Sequence, residues 1–147
     1  MRGPLIRIAA RAALAMRDEA ARAYPHEACG ALLGPSPATI ADAVALVNRE
    51  RERPQARFAI DPLDYLALED LAERRGVLVL GFWHSHPDHP ALPSETDASL
   101  AWQGLLSVIV PVAAGEPGAP TAWLWSESLG SFEPVPLAFA PGEHPDR

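Results

Sequence analysis

Two histidines and an aspartate in the middle of the sequence have the types and spacing of metal ligands. His84 and His86 are followed directly by Pro87, and Ser94 and Asp97 come shortly afterwards. If both histidines lie on one strand they face the same side, because side chains alternate along a strand. At about 3.3 Å per residue their Cα atoms would be roughly 6.6 Å apart, from which two imidazoles can bind one ion. Asp97 is the candidate third ligand.

Three protein ligands leave the fourth tetrahedral position for water, which is typical of a catalytic rather than a structural zinc site. A thiolate site is excluded because Cys29 is the single cysteine among the 147 residues. The sequence also contains no lysine, so a Walker-type phosphate lysine and Schiff-base chemistry are excluded. We therefore expect a Zn²⁺ site formed by histidines and carboxylates.

Ser94 and Asp97 also have a structural interpretation. Ser-x-x-Asp ahead of a helix resembles a capping box, with Ser94 as the N-cap residue. That motif prefers glutamate or glutamine at its last position, and an aspartate is short for reaching back to the N-cap amide. We therefore expect Asp97 to point toward the metal, while Ser94 could cap the helix and still present its hydroxyl to the site.

A metal-bound water would also need a proton shuttle, for which two glutamates are candidates. Glu95 lies one position into the predicted helix and should face solvent. Glu27 opens the apolar run Ala28–Leu33, where a carboxylate at a strand edge has no evident structural purpose. Glu27 is therefore the better candidate.

Two helices are predicted from periodicity and capping residues. The first covers about Ala10–Ala23 and is stopped by Pro25. The second begins with Asp61 as N-cap and a proline at its first position, and it ends at two arginines followed by Gly76. Its expected apolar positions are Leu63, Leu66 and Leu71.

The remaining pattern predicts strands and therefore a mixed α/β domain over residues 1–140, with a fraying tail over residues 141–147. The unbroken apolar run Val77–Phe82 suggests a strand buried on both faces. A short helix is expected near Ser94–Trp102, and Ala113–Pro120 is expected to be a loop. The other strand candidates are Leu5–Ile8, Ala28–Leu33, Thr39–Val47, Leu106–Val112 and Thr121–Trp125.

These residues together resemble the JAMM/MPN family of zinc metallopeptidases, in its small prokaryotic single-domain type. The family pattern is a distal glutamate, His-x-His-Pro, a short loop and Ser-x-x-Asp. The sequence has Glu27 within Pro25–Gly30, His84–Pro87, and Ser94 and Asp97 at the expected spacing. Five separated positions must agree, so the signal is specific. By order of elements the resemblance spans most of residues 5–135.

The resemblance implies an MPN (JAB/cytidine-deaminase-like) fold, which is an α/β fold with a curved mixed sheet flanked by helices. It implies that His84, His86 and Asp97 bind Zn²⁺. It further implies that Glu27 accepts a proton from the bound water and passes it to the leaving amine. Ser94 would hydrogen-bond the oxyanion of the tetrahedral intermediate.

The implied activity is that of a zinc metallopeptidase or isopeptidase acting at the C-terminal tail of a ubiquitin-like or sulfur-carrier protein. The bond could join the carrier to a lysine, or to a cysteine or another adduct. No large insertion between Glu27 and Asp97 dictates a ubiquitin linkage, which favours a small carrier. A non-catalytic MPN module is the alternative, although such modules usually lack ligands that are all present here. A zinc deaminase would need a cysteine pair, and Cys29 is alone.

The charge of -7 argues against a nucleic-acid partner, because phosphate-binding surfaces cluster arginine and lysine. The one basic run is broken by two glutamates and is expected to be a solvated loop; it consists of Arg49, Arg51, Arg53 and Arg57. The stretch Met1–Met16 lacks the continuous apolar segment of a signal peptide, and no span approaches the ~20 apolar residues needed to cross a bilayer. A cytoplasmic protein is the simplest expectation.

Seven further side chains have simpler expected roles. His26 is expected to be structural, and Asp88 and His89 to be exposed beside the site. Cys29 is expected to be a packed thiol without a partnered base, and Trp83 should face away from His84 into the core. Trp123 and Trp125 could belong to the core or to an apolar surface for a partner.

Overall fold

The computed structural model describes residues 5–95, 97 and 105–139. In this part of the chain it contains two helices and ten strands. The helices are α1 (Ala10–Ala23) and α2 (Pro62–Arg75). The strands are β1 (Ile6–Ile8), β2 (Cys29–Gly34), β3 (Thr39–Ile40), β4 (Asp42–Leu46), β5 (Leu78–Pro87), β6 (Leu106–Ala113), β7 (Glu116–Pro117), β8 (Thr121–Ser126), β9 (Ser131–Val135) and β10 (Leu137–Phe139).

The strands form a large mixed sheet and a small parallel one. The large sheet has the order β4-β2-β5-β6-β8-β9, with β7 paired to β6. Its strands are antiparallel except for β5 and β6, which are parallel. The small sheet has the order β10-β1-β3. Strand β5 therefore lies inside the large sheet, paired on both sides.

Each face of the large sheet has its own apolar core. On one face, Trp83 packs with α1 and the small sheet, and its side chain is 1% exposed. On the other face, α2 places Leu68 and Ala72 against Ala31 and Leu33. Neither helix in the described part of the chain has the length and apolar character needed to cross a bilayer.

Both helix predictions are confirmed at their ends. The side chain of Asp61 accepts a hydrogen bond from the backbone N–H of Leu63 at 2.7 Å, as an N-cap residue does. Gly76 adopts the left-handed conformation, with φ 67°, and closes α2. The predicted apolar positions were partly wrong, because Leu63 and Leu66 are 74% and 59% exposed. The buried stripe of α2 is narrow and consists of Leu68 and Ala72, one turn apart.

Several strand predictions need correction. The segment Thr39–Val47 is two strands, because β3 pairs with β1 in the small sheet whereas β4 pairs with β2 in the large one. Strand β5 continues to Pro87, and its start is open to solvent, with Leu78 47% exposed. The expected loop Ala113–Pro120 contains the short strand β7. Strands β9 and β10 were not predicted. Most of the expected helix Ser94–Trp102 and all of residues 141–147 lie outside the described residues.

Candidate metal centre

Strand β5 carries two histidines into the interior on one face of the sheet. His84 and His86 are 2% and 6% exposed. Their Nε2 atoms are 3.1 Å apart, as the alternation along a strand predicts. Pairing with β2 and β6 holds the strand on both sides, with His84 opposite Cys29 and Ile109. The backbone that carries both imidazoles therefore belongs to a central strand and not to a loop.

Asp97 completes a three-residue cluster. Its Oδ1 lies 3.1 Å from Nε2 of His84, and its Oδ2 lies 3.0 Å from Nε2 of His86. Among the described residues these three form a group whose ligand atoms all lie within 4.8 Å of one another. The structure therefore brings together the three residues that the sequence singled out as ligands.

The hydrogen bond on the far side of His86 indicates that a cation fits this cluster. The Nδ1 atom of His86 lies 2.8 Å from the carbonyl oxygen of Pro90. A carbonyl can only accept, so Nδ1 carries a proton and donates it. In the neutral imidazole, Nε2 then has a lone pair that faces a carboxylate oxygen and a second imidazole nitrogen. Two histidine nitrogens and one carboxylate, all buried, are the donor set of a Zn²⁺ site.

Electrostatics favours the protonation states that ligation requires at His84 and Asp97, whereas at His86 it favours the protonated imidazole. Burial lowers the pKa of His84, which favours the neutral imidazole. Burial opposes ionisation of Asp97, but hydrogen bonds from both histidines hold the pKa of its carboxyl far below its usual range. Burial also works against the charged form of His86, yet its bonds to Asp97 and Pro90 raise the pKa of that imidazole. When no metal ion is bound, the Asp97 carboxylate therefore favours protonation of His86.

Asp97 also caps the segment that carries it, which corrects one prediction. The backbone N–H of Asp97 donates to Oγ of Ser94 at 3.1 Å, and the N–H of Ser94 donates to Oδ2 of Asp97 at 2.8 Å. These are the two bonds of a capping box, so the expectation that an aspartate is too short was wrong. One carboxylate both caps and faces the histidines. The Ser94 hydroxyl, which is exposed, can still donate its hydrogen.

Glu27 is buried beside the cluster with an unsatisfied carboxyl oxygen. The residue is 5% exposed, and Oε1 of its carboxyl group has no hydrogen-bond partner among the described residues. Burial, with the nearby charge of Asp97, raises the pKa of Glu27 from 4.5 to about 8, while His86 acts in the opposite direction. Glu27, His86 and Ser94 line one cavity of about 370 Å³. An orphaned acid facing a cavity suits proton transfer better than structural support.

Three residues that the sequence did not single out hold Glu27 and His84 in place. Ser85 is fully buried; its Oγ accepts from the N–H of Ala28 at 2.8 Å, and its N–H donates to the carbonyl of Ala28 at 3.0 Å. Asn48 donates from Nδ2 to the carbonyl of Glu27 at 3.0 Å. The ring of Phe58 stacks on His84 at 4.8 Å. Alternation on β5 could have identified Ser85, since it must face away from both histidines.

A larger, mostly apolar cavity adjoins the cluster. Its volume is about 690 Å³, and His84 and Asp97 form part of its wall. The loop before α2, α2 itself and strands β5, β6 and β9 supply the rest of the wall. The apolar residues of that wall include Phe58, Ile60, Leu66, Phe82, Leu105 and Phe132. A substrate segment with apolar side chains could therefore lie directly beside the cluster.

Several neighbouring side chains serve the fold rather than the cluster. Burial raises the pKa of the Cys29 thiol to about 12, so it is an inert packed side chain as expected. His26 is exposed and is not part of the cluster. Asp88 is exposed, and its carboxylate accepts hydrogen bonds from the Tyr24 hydroxyl at 2.6 Å and from the backbone N–H of Ala114 at 2.8 Å.

The remaining expectations concern exposed or half-buried residues. His89 is exposed and lines the smaller cavity with Glu27. Trp83 is buried in the core, whereas Trp123 and Trp125 are half-buried. The basic run lies in the exposed segment between β4 and α2, and there Arg49 pairs with Asp64 at 3.2 Å.

Comparison with known proteins gives consistent similarities. The model of a family described as prokaryotic homologs of the JAB domain matches residues 9–126. A desampylase of Haloferax volcanii is 32% identical over 111 residues, which cover 75% of this chain and 77% of that protein. A protein of Desulfitobacterium hafniense, solved in solution, superimposes with a TM-score of 0.79 at 26% identity, covering 92% of each chain. A crystal structure of a JAB1/MPN domain protein from Archaeoglobus fulgidus gives 0.58 at 20% identity, covering 92% of this chain and 100% of the other.

Replacing Ser85 by alanine should destabilise the protein without touching a ligand. The variant leaves the buried N–H of Ala28 without its acceptor, which costs about 1–3 kcal/mol. Urea unfolding of the metal-free protein measures the loss as a lower midpoint at unchanged slope. An unchanged midpoint would mean that the bond to Ser85 contributes nothing to the placement of the Glu27 segment.

The buried acid should give the metal-free protein a specific pH dependence. Because the folded-state pKa of Glu27 lies above its ordinary value, the folded protein binds more protons than the unfolded chain between pH 4.5 and about 8. The contribution of Glu27 to stability therefore falls as pH rises through that window. The unfolding free energy, measured across this pH window, should fall with rising pH in wild type relative to Glu27→Gln. Parallel profiles would show that Glu27 titrates at its ordinary value.

Proposed function

Because this chain belongs to the prokaryotic homologs of the JAB domain and has the JAB/MPN fold, we propose that it is a zinc metallopeptidase of the JAMM type. Its reaction would be hydrolysis of an amide bond at the C-terminal tail of a ubiquitin-like or sulfur-carrier protein. One observation carries the proposal: a buried acid with an orphaned oxygen shares a cavity with His86 of the His-His-Asp cluster. A metal site that only stabilised the fold would not require a buried acid beside the metal ligands.

In the proposed reaction, His84, His86 and Asp97 hold the ion. Bound zinc supplies Lewis-acid chemistry and makes a water molecule reactive at neutral pH. Oε1 of Glu27 takes a proton from the attacking water and later gives it to the leaving amine. The elevated pKa of Glu27 suits both directions of transfer, and a cation beside it would favour the ionised form that accepts. The Ser94 hydroxyl donates a hydrogen bond to the oxyanion.

The substrate class is supported by the relative and by the larger cavity. The desampylase relative supports a hydrolase that acts on a ubiquitin-like modifier. The cavity of about 690 Å³ beside His84 can receive apolar side chains of an extended tail. A non-catalytic module is disfavoured, since such a module has no need of Glu27 or of a complete ligand set. We also propose that residues 1–140 form a single domain.

The decisive experiment offers the protein ubiquitin-like and sulfur-carrier proteins with a peptide fused after their C-terminal glycines. Mass spectrometry of the products should show cleavage at the carrier tail in the presence of zinc, and none after chelation. Carriers joined to lysine and to cysteine are compared in parallel to identify the bond. Zinc-loaded protein that leaves every carrier intact would overturn the proposed activity.

Two variants separate metal binding from proton transfer. His84→Ala should lose stoichiometric zinc, because the remaining two ligands cannot hold the ion. Glu27→Gln should retain zinc while turnover falls by ~10²–10⁴, the usual contribution of a general acid–base group. Metal content by mass spectrometry and turnover on the same samples test both. Full activity in Glu27→Gln would remove Glu27 from the mechanism.

Two leucines on α2 form a matched pair for testing the larger cavity. Leu66 lines it, whereas Leu63, which is also exposed on α2, does not contribute to its wall. Leu66→Gln should raise KM for a carrier tail severalfold with kcat nearly unchanged, because it removes apolar contact with the bound tail. Leu63→Gln should leave both constants unchanged. Equal effects of the two substitutions would place the tail elsewhere.

A further inference from the structure

The loop between the second and third ligands is tied to a distant strand by a chain of hydrogen bonds. The carbonyl of Pro90 accepts from Nδ1 of His86 at 2.8 Å. The next carbonyl, that of Ala91, accepts from the hydroxyl of Thr121 at 2.7 Å. That hydroxyl oxygen in turn accepts from Nε1 of Trp123 at 2.9 Å. Of two neighbouring carbonyls in this loop, that of Pro90 thus binds the ligand His86 and that of Ala91 binds Thr121 on β8.

Sheet register explains how β8 can reach this loop. His84 lies opposite Ile109 on β6, and Ile109 lies opposite Thr121 on β8. Opposite residues in neighbouring strands face the same side of a sheet, so Thr121 and His84 share a face. Trp123, two residues further along β8, shares it too. The loop that leaves β5 folds back over this face, where the Thr121 hydroxyl meets it.

The donor groups fix the direction of each hydrogen bond in this series. An indole N–H can only donate, so the oxygen of Thr121 must accept from Trp123. The single hydrogen of the hydroxyl is then directed to the carbonyl of Ala91, which can only accept. The rotation of the Thr121 hydroxyl is therefore determined by the structure. This is a specific tether and not a chance surface contact.

A second, independent anchor holds the start of the same loop. The N–H of Asp88 donates to the carbonyl of Val112, and its carboxylate binds Tyr24 and the backbone of Ala114. Asp88 adopts a positive φ of 58°, a conformation that aspartate tolerates better than most residues. The path from His86 to Ala91 is thus fixed at both ends, with Pro90 between the two anchors.

We propose that Thr121 and Trp123 are positioning residues for the metal ligand His86. By holding the carbonyl of Ala91, they keep the carbonyl of Pro90 at Nδ1 of His86. That bond keeps the proton on Nδ1 and directs Nε2 toward the other two ligands. The inference rests on the proposed function only in taking this cluster to be the metal site.

The experiment compares Thr121→Val with Thr121→Ser by zinc affinity. Valine has nearly the shape of threonine but no hydroxyl, whereas serine keeps it. Competition against a chromogenic chelator should show zinc affinity reduced on the order of 10-fold or more in Thr121→Val, since outer hydrogen-bond partners of metal-bound histidines have effects of this size. Thr121→Ser should stay within about twofold of wild type. Trp123→Phe, which removes the indole donor but keeps an aromatic ring, should fall between the two.

The second measurement is the nitrogen-15 spectrum of the histidines in the metal-free proteins. A purely structural role of Thr121 would leave the protonation site of His86 in these spectra unchanged. At a pH where the His86 imidazole is neutral, wild type and Thr121→Ser should show its proton on Nδ1, and Thr121→Val a mixture of tautomers. Unchanged zinc affinity and tautomer in Thr121→Val would overturn the proposal, as would an equal loss in Thr121→Ser. If Thr121→Val does not fold, Trp123→Phe decides by the same two measurements. Failure of the wild type itself to bind zinc would instead overturn the proposed function.

Discussion

The site depends on one electrostatic constraint, which is that three electron-pair donors converge in a buried space. The Nε2 atoms of His84 and His86 lie 3.1 Å apart, and they lie 3.1 and 3.0 Å from the two different oxygens of the Asp97 carboxylate. Lone pairs at such distances repel unless a proton or a metal ion lies among them. Burial strengthens the constraint, because water cannot screen the repulsion. The protein holds the three groups together with a central strand, a capping box and a tethered loop. These elements give the donors little freedom to move apart.

Strand β5 serves both halves of the proposed chemistry by the alternation of its side chains. His84 and His86 face the cluster, while Ser85 between them faces the opposite side and binds both backbone groups of Ala28. Ala28 follows Glu27 directly, so one strand carries two of the three proposed metal ligands and also fixes the backbone next to the buried acid. The placement of the buried acid relative to the two histidines is therefore set by hydrogen bonds to one strand. It does not depend on how two separate lobes come together.

Local rules explain which parts of this arrangement could be predicted from the sequence. The ends of α2 follow from Asp61 and Gly76, whose backbone preferences act within a few residues, and the shared face of the histidines follows from alternation. The split between β3 and β4 could not be predicted, because it depends on a pairing with the distant β1. Strands β9 and β10 were not predicted. Pro134 lies inside β9, and a proline argues against a central strand but is compatible with an edge strand such as β9, which among the described strands pairs with β8 alone. The dual bonding of Asp97 and the stacking of Phe58 on His84 are tertiary contacts without a local signature.

The small sheet has a consequence for how truncated forms of this protein should be interpreted. Strand β1 pairs with β10 in parallel, with Ile6 opposite Leu137, so two segments from far apart in the chain must meet before this sheet is complete. Such a contact of long sequence separation forms late and slows folding, because a large loop has to close first. A chain shortened before Leu137 would retain Glu27 and every proposed metal ligand, yet one edge of β1 would be open. Loss of the proposed activity in such a fragment would report incomplete folding and aggregation through the open edge, not the absence of a proposed catalytic group.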